Sequence, residues 1–374
     1  MRSQSRATLP NSLLIAAVSG RALARSAVRA GLAPIVLDLF DDQDLPVKSS
    51  RIVRAGTTLR FSARRLLSAA SELAPGLPLV YGAGFEGCPQ TLFRLARARK
   101  LYGNSPETLA QINDARRFFA LLDKLSIPHP DVSFAFPRSP DGWLAKKAGA
   151  AGGWHIRLAK FVRPGGEFYF QHSVAGRSLS VLFLADGRHA RIIGFNETWT
   201  TGARARPYCY AGAIGRAPVA PAVQAVVVDA VERLVKAVRL IGVNGMDFVL
   251  QDERVQVLEI NARPTATHEL YDADFKDGLL AEHLKACVGE LSLDCLQSRT
   301  VRASAVVYSE APKVIPPSAR WPAFAVDLPR AGTVIGSGAP ICTVQAEGRD
   351  FAEVKREVLR RKSAINDVFV RKAA

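Results

Sequence analysis

No apolar run in this 374-residue chain approaches the roughly 20 residues that a membrane helix needs, so no segment reads as a span. Cysteine is scarce. The five residues, at positions 88, 209, 287, 295 and 342, form no CxxC pair. The odd count argues against a disulfide framework or a zinc site and for a reducing, cytoplasmic setting. The six histidines show no metal-ligand spacing. Ser19-Gly20-Arg21-Ala22, at the first strand-to-helix turn, lacks the GxGxxG pattern, which argues against a dinucleotide cofactor. There is no Lys/Arg run of five or more and no nucleic-acid module with interleaved aromatics. No Ser/His/Asp constellation suggests a nucleophilic hydrolase, and there are no repeats or low-complexity tracts. A secretory leader is sketched by Arg2, Arg6, the apolar residues 13–18 and Ala22-Leu23-Ala24. Pro10 and Asn11 interrupt it, and the apolar run reads as a first strand.

What is present is an ordinary globular composition with an unusual charge. Hydrophobic residues make up 48% and charged residues 22%, enough for two or three domains with their own cores. The formal net charge is +16. Much of the excess is arginine in the N-terminal third (Arg60, Arg64, Arg65, Arg94, Arg97, Arg99), read as a solvated helical surface and as a field that draws in polyanionic small molecules.

Residues 13–39 read as a strand, a helix closed by Gly31, and a second strand ending near Asp38. This is half of an open α/β sheet, whose ligands bind beyond the strand C-termini. A strand at 77–81 runs into Gly82-Ala83-Gly84-Phe85-Glu86-Gly87, which is either an anion-binding loop of glycine amides or a plain turn. Ser105-Pro106-Glu107 caps a helix, and a second helical pattern carries Phe118, Phe119, Leu121, Leu122 and Leu125. Lys146 stands at a strand end before Lys147-Ala148-Gly149-Ala150-Ala151-Gly152-Gly153. Such a lysine and flexible loop suit phosphate handling, although the GK[ST] ending of a Walker A loop is missing; a hairpin tip with a solvated lysine is the plainer reading. Residues 168–172 form a strand. A hairpin spans 178–195 about Asp186-Gly187. Residues 222–241 form an amphipathic helix with Val226, Ala230, Val231, Leu234, Val238 and Ile241 on its core side, and 277–291 are helical. Strands return after residue 300 and end in a basic helix at 351–362.

The strongest signal is a pair of strand-like runs flanking Gln251-Asp252-Glu253-Arg254. Side chains alternate faces along a strand, so Glu259 and Asn261 share one. Asp247 joins them if the hairpin loop holds an odd number of residues. Two carboxylates and a carboxamide, with Arg263 just beyond, suit magnesium, which takes oxygen ligands and shares them with nucleotide phosphates. The alternative is an exposed polar face. Against it, Val257, Leu258 and Ile260 make the setting apolar, where an acid needs a cation or a donor.

The order of these pieces, with Glu259-Ile260-Asn261-Ala262-Arg263-Pro264 as its most specific element, resembles the ATP-grasp superfamily of ligases over residues 10–300. The resemblance implies a mixed α/β and α+β architecture: an N-terminal open α/β domain (1–105), ATP-binding subdomains (106–180 with the Gly-rich loop, 181–300 with the metal site) and a small C-terminal subdomain (301–374). It implies ATP and Mg2+ as cofactors. Lys146 and the loop of Gly149, Gly152 and Gly153 would meet the phosphates. Gln171, His172, Ser173 and Val174 would meet the adenine, and Ser178 the ribose. Asp247, Glu259 and Asn261 would hold the metal, and Arg263 would act with Lys146 on the transferred phosphoryl group. Gln171 and Ser178 stand where the family often has acids, and Arg116 and Arg117 stand where a first phosphate lysine is expected.

Gly82-Ala83-Gly84-Phe85-Glu86, Gly103-Asn104-Ser105-Pro106-Glu107 and Arg116-Arg117-Phe118-Phe119 are similar to the one-carbon cofactor branch, which includes the tyramine–glutamate ligase of methanofuran synthesis. That branch implies an amide-forming reaction of glutamate, or a glutamyl chain, with an aromatic amine or amino acid. Small-molecule carboxylate and amine partners follow, with neither nucleic acid nor membrane, and a homo-oligomer is compatible. A non-catalytic nucleotide-binding protein is the main rival. His155, His172 and His268 are candidate bases, each more simply read as structural.

Overall fold

The computed structural model describes residues 9–56, 58–203, 206–291 and 295–370, with side chains as far as residue 365. Arg2 and Arg6 lie outside the described residues. Residues 13–16, all fully buried, form most of strand β1 (Ser12–Ala16). After helix α1 (Arg21–Arg29) the chain returns as β2 (Ala33–Asp38) and continues through β3 (Ser49–Ile52), α2 (Ala63–Leu73), β4 (Leu79–Tyr81), α3 (Pro89–Ala96) and β5 (Leu101–Tyr102). These strands make one parallel sheet in the order β3-β2-β1-β4-β5. Its order reverses between β1 and β4, and a crevice for ligands lies beyond the C-terminal ends of the strands at such a point.

Ser105 caps α4 (Pro106–Asn113) by accepting the Thr108 N–H at 3.2 Å, with proline in the first turn. Asp114 caps α5 (Ala115–Lys124) in the same way, and α5 buries Phe118, Phe119 and Leu122. Strands β6 (Val132–Ser133), β7 (Trp143–Lys146), β8 (Arg157–Leu158) and β9 (Tyr169–His172) follow as a small antiparallel sheet. The larger antiparallel sheet begins with β10 (Arg177–Asp186), β11 (Ala190–Thr200) and β12 (Tyr210–Gly215). After α6 (Pro221–Val238) come β13 (Ile241–Gln251) and β14 (Arg254–Asn261).

Helix α6 corrects two expectations. It ends at Val238 because Arg239 turns left-handed, at φ 54°, so Ile241 opens β13 instead. Val226 is 48% exposed, and the buried face runs through Val223, Val227, Ala230, Val231, Leu234, Val235 and Val238. The pattern alone admits two neighbouring stripes, and packing selects one. Helices α7 (His268–Asp272) and α8 (Leu279–Ala286) follow; α8 is shorter than the expected 277–291, its start set by Gly278 at φ 76°. Leu280 and Leu284 of α8 join Leu13, Ile15 and Val80 in one cluster against the N-terminal sheet.

Among the described residues after 300, three strands continue the large sheet and two pair with each other apart from it. β15 (Val301–Tyr308) pairs with β12. Then come β16 (Lys313–Val314), β17 (Ala325–Val326), β18 (Val334–Ile335) and β19 (Pro340–Gly348), of which β19 pairs with β15. Helix α9 (Phe351–Val370) runs beyond the expected 362 and packs Val354, Val358 and Ile365 into a separate C-terminal core. Among the described residues no helix is long and apolar enough to cross a membrane.

Asn104, 2% exposed, ties the two halves together. Its Nδ2 donates to Asn244 Oδ1 (2.8 Å), Ala262 O (3.0 Å) and Ile241 O (3.2 Å), and its Oδ1 accepts the Ile241 N–H (2.9 Å). Tyr81 reinforces the joint by donating to both Asn104 O and Ala262 O. Asn104→Ala strands several of these groups inside the protein, so it should cost roughly 2–4 kcal/mol in urea unfolding; a change within error would mean that water replaces the amide.

Candidate functional site

The hairpin of β13 and β14 turns through Asp252 and Glu253, at φ 47° and 66°, with Gln251 facing Arg254. Positive φ at both positions is the two-residue turn that matches strand twist. An even loop would place Asp247 opposite Leu258. It does not, because a β-bulge shifts the register between Asp247 and Phe248. The odd residue expected in the loop is thus Leu258, inside the strand. Asp247 then faces Glu259, and Gly245 faces Asn261. Asn261 Nδ2 lies 3.1 Å from Asp247 Oδ2 and 3.4 Å from Glu259 Oε1. Enclosure, followed by the Glu259 carboxylate, pushes the Asp247 carboxyl well above the usual carboxylate range.

Lys146 ends β7 with its side chain buried, and its Nζ donates to Gln171 Oε1 at 2.6 Å. Burial lowers its pKa, against the opposing pull of Glu259 and Asp247. Lys147 holds its ammonium 5.5 Å over the Phe168 ring, and the residue borders the small cavity under the glycine loop. The glycine loop lies against two other parts of the chain. A Cβ on Gly149 would sit 2.8 Å from Glu86 O, and one on Gly153 would sit 1.9 Å from Tyr208 O. Tyr210 N donates to Gly152 O at 3.0 Å. Between this loop, α5 and β14 remains a cavity of about 50 Å³, bordered by Glu86, Phe119, His155, Tyr169, Glu259 and Asn261. Ligand pockets usually hold about 300–1,000 Å³, so a nucleotide requires the loop to lift. Burial depresses His155 to about 4, and its Nδ1 has no partner among the described residues.

Arg263 follows β14. Its Nε meets Glu86 Oε1 at 2.5 Å and its Nη2 meets Asn261 Oδ1 at 2.9 Å. Burial would raise the Glu86 carboxyl, but Arg263 and the Gly84 N–H together hold it below its ordinary value. The 82–86 loop therefore differs from the anion-binding alternative. Gly84 N donates to Glu86 Oε2 at 2.7 Å and Gly82 N to Ala16 O at 2.9 Å. The loop delivers a carboxylate to Arg263. The sequence singled out this loop but not the role of Glu86, whose partner stands 177 positions away.

The other expected positions are spread more widely. His172 and Ser173 donate their N–H groups to Asp131 O and Gly142 O, so a base docking there would meet carbonyl oxygens or the Val174 amide. The exposed His172 ring stands edge-on to Trp143. Ser178 Oγ lies 2.9 Å from Thr198 Oγ1, two residues along β10 from Ser180, which pairs with Asp247. Arg116 stacks 4.2 Å over Phe134, and Arg117 faces Asp114 at 3.8 Å; these partners give neither a place in the cavity. His268 is buried, both ring nitrogens lacking partners among the described residues, and its charged neighbours are Asp272 and Glu269 rather than the hairpin acids.

Residues 112–267 match the family model described as ATP-grasp domain. No curated protein matches the chain. Among solved structures it is similar to N5-carboxyaminoimidazole ribonucleotide synthetase from Thermotoga maritima, at 17% identity and TM-score 0.67 over 95% of this chain and 98% of that one. The Campylobacter jejuni biotin carboxylase, crystallised as a β-γ-ATP complex, shares 14% identity at TM-score 0.69, covering 92% and 89%. The biotin carboxylase domain of Hydrogenobacter thermophilus 2-oxoglutarate carboxylase, a dimer with MgADP, ADP and bicarbonate, shares 12% identity at TM-score 0.70, covering 93% and 89%. The chain has the ATP-grasp fold, with an N-terminal parallel sheet and antiparallel sheets after it.

The different partners of the two lysines, Gln171 for Lys146 and the Phe168 ring for Lys147, give a test. Lys146→Ala should weaken ATP binding, read by calorimetry, on the order of 10²-fold, as expected for one lost charge-assisted hydrogen bond. Lys147→Ala should leave it nearly unchanged. Equal losses would show that the loop, and not the buried ammonium, sets the affinity.

Proposed function

We propose that this chain is an ATP-dependent, ADP-forming ligase that joins a carboxylate to an amine through an acyl phosphate. The observation that carries the reading is the bulged hairpin, which sets Asp247 against Glu259 with Asn261 beside them and Arg263 just beyond. The donor set fits magnesium, with oxygen atoms only and two carboxylates, and phosphate ligands would enter once the glycine loop lifts. Among the described residues no three His, Cys, Asp or Glu converge on a metal, so the carboxamide of Asn261 is the third protein ligand of this reading. To present oxygen, Asn261 would turn its amide over and give up its contact with Arg263. Bound there, magnesium would neutralise charge on the transferred phosphoryl group.

The chain's own residues would do the rest. Lys146, held by Gln171, supplies a fixed positive charge that needs no reorganisation during transfer. Arg263, anchored by Glu86, holds the reacting carboxylate or its acyl phosphate. The glycine loop, resting on Glu86 and Tyr208, excludes water that would hydrolyse the acyl phosphate. Phosphoryl transfer asks for alignment and charge compensation more than for a nucleophile.

For the substrates we take glutamate or a glutamyl chain with an aromatic amine or amino acid, in the assembly of a one-carbon cofactor. The support is the sequence likeness around residues 82–86, 103–107 and 116–119. Another acid on the same fold is the alternative.

Glu259→Gln should abolish ADP release while the fold persists, since a metal-coordinating charge is worth several kcal/mol in the transition state. ADP release from the wild type should be screened against amino acids and amines, with mass spectrometry of the product. The expected mass is amine plus glutamate minus water, with stoichiometric ADP and phosphate. AMP and pyrophosphate instead would overturn the acyl-phosphate route.

A further inference from the structure

Beyond the hairpin acids, the loop after β2 meets the segment around β17 over a second group of carboxylates that the phosphoryl chemistry does not use. Three of the four have donors. Asp38 accepts the N–H groups of Gly20 (3.2 Å), Phe40 (3.1 Å) and Asp41 (2.9 Å). Asp44 accepts those of Asp327 (3.0 Å) and Leu328 (2.8 Å). Asp327 takes Arg21 Nε at 2.7 Å and Ser19 Oγ at 3.3 Å. Asp42 differs: it is 4% exposed, and its Oδ2 has no hydrogen-bond partner among the described residues.

Arg21 is the guanidinium within this group, and it is already committed. Its two Nη atoms fork onto Glu269 at 2.7 and 2.6 Å, and its Nε holds Asp327. Arg330 sits at the rim on Asp41, 3.1 Å away. Burial, then Asp327, Asp38 and Asp44, push the Asp42 carboxyl up to about 8. Asp42 is thus a buried acid with like charges around it and one oxygen without a donor, and the guanidinium that acts on it, Arg21, is committed to other acids.

The position is that of a substrate subsite. Ser19–Arg21 follow β1 at the reversal of the parallel sheet, where ligands enter such folds. Val18 N donates to Ala83 O at 2.8 Å, so this turn adjoins the loop that carries Glu86. On the other side, Glu269 stands six residues after Arg263.

We propose that Asp42, in the loop that carries Asp38 and Asp44 and meets Asp327 and Leu328, binds the primary ammonium group of a substrate. A metal suits the site less well, because no three His, Cys, Asp or Glu among the described residues converge on one. A guanidinium prefers a fork of two oxygens, whereas the buried atom without a partner is one oxygen. An ammonium is a compact charge with three donors. The ammonium site stands on this geometry alone; its assignment to the amine or amino-acid substrate rests on the ligase reading.

The test uses the full chain without nucleotide. n-Butylammonium and phenethylammonium chlorides are titrated at constant ionic strength, with binding followed by calorimetry and thermal shift. Butyltrimethylammonium, which has no N–H, butanol, which has no charge, and Mg2+ are the controls. Primary ammonium ions should bind and the controls should not. Asp42→Asn should weaken binding roughly tenfold or more, the loss of one charge-assisted hydrogen bond. The variant should fold at least as well as wild type at pH 8. A carboxyl whose folded pKa is raised loses stability as pH rises from its unfolded value towards 8, and Asn removes that loss.

No primary-ammonium binding, equal binding by Asp42→Asn, or protection by Mg2+ alone would overturn the proposal. Ammonium binding without ADP release would leave this site standing and remove the ligase reading. Amide formation with an unchanged KM for the amine in Asp42→Asn would do the reverse.

Discussion

Two carboxylates set face to face on neighbouring strands repel, and much of the candidate site is an answer to that repulsion. Like charges about 4 Å apart cost about 4 kcal/mol at an effective dielectric near 20. The bulge at Leu258 imposes this arrangement on Asp247 and Glu259. Asn261 supplies two donors to the pair, the Lys146 ammonium lies within electrostatic reach of both acids, and Arg263 lowers the cost for Asp247. The dependence is mutual. A buried lysine is also costly unless acids surround it. None of these groups would be tolerable in this place alone, so the site stands or falls as a cluster.

The second constraint joins the two halves of the molecule. Arg263 belongs to the end of the hairpin, but its partner Glu86 belongs to the N-terminal sheet. Tyr81 and Asn104 hold the adjoining Ala262 carbonyl from the same side. Gly149 then rests on the Glu86–Gly87 backbone, so the loop over the cavity closes against a surface that the N-terminal domain provides. Only a residue without a side chain permits that approach. A change in the N-terminal sheet can therefore reach the candidate site through packing and hydrogen bonds.

The net charge of +16 describes the surface better than it describes the sites. Arginines on exposed helices set the total, whereas the loop around Asp42 brings acids near the committed guanidinium of Arg21. Long-range attraction of anions and local recognition of a cation are compatible, because the first acts through solvent and the second through buried oxygen atoms.

Sequence alone determined the pieces whose logic is local. Apolar runs gave β1, β2 and β4, Ser105 announced its helix, and alternation put Glu259 and Asn261 on one face. Lys146 and the glycine spacing after it were legible for the same reason. What only the tertiary structure decided depended on distant partners. The bulge at Leu258 is a packing choice that a period-two pattern cannot express. The stripe of α6 that is buried depends on the sheet beneath it, and its end on the left-handed turn at Arg239. Glu86 meets Arg263, and Asp42 lies buried among Asp38, Asp44 and Asp327, because chain segments far apart in sequence fold onto one another. Periodicity records which face of an element is apolar; it carries no information about which charged side chain from elsewhere will arrive opposite it.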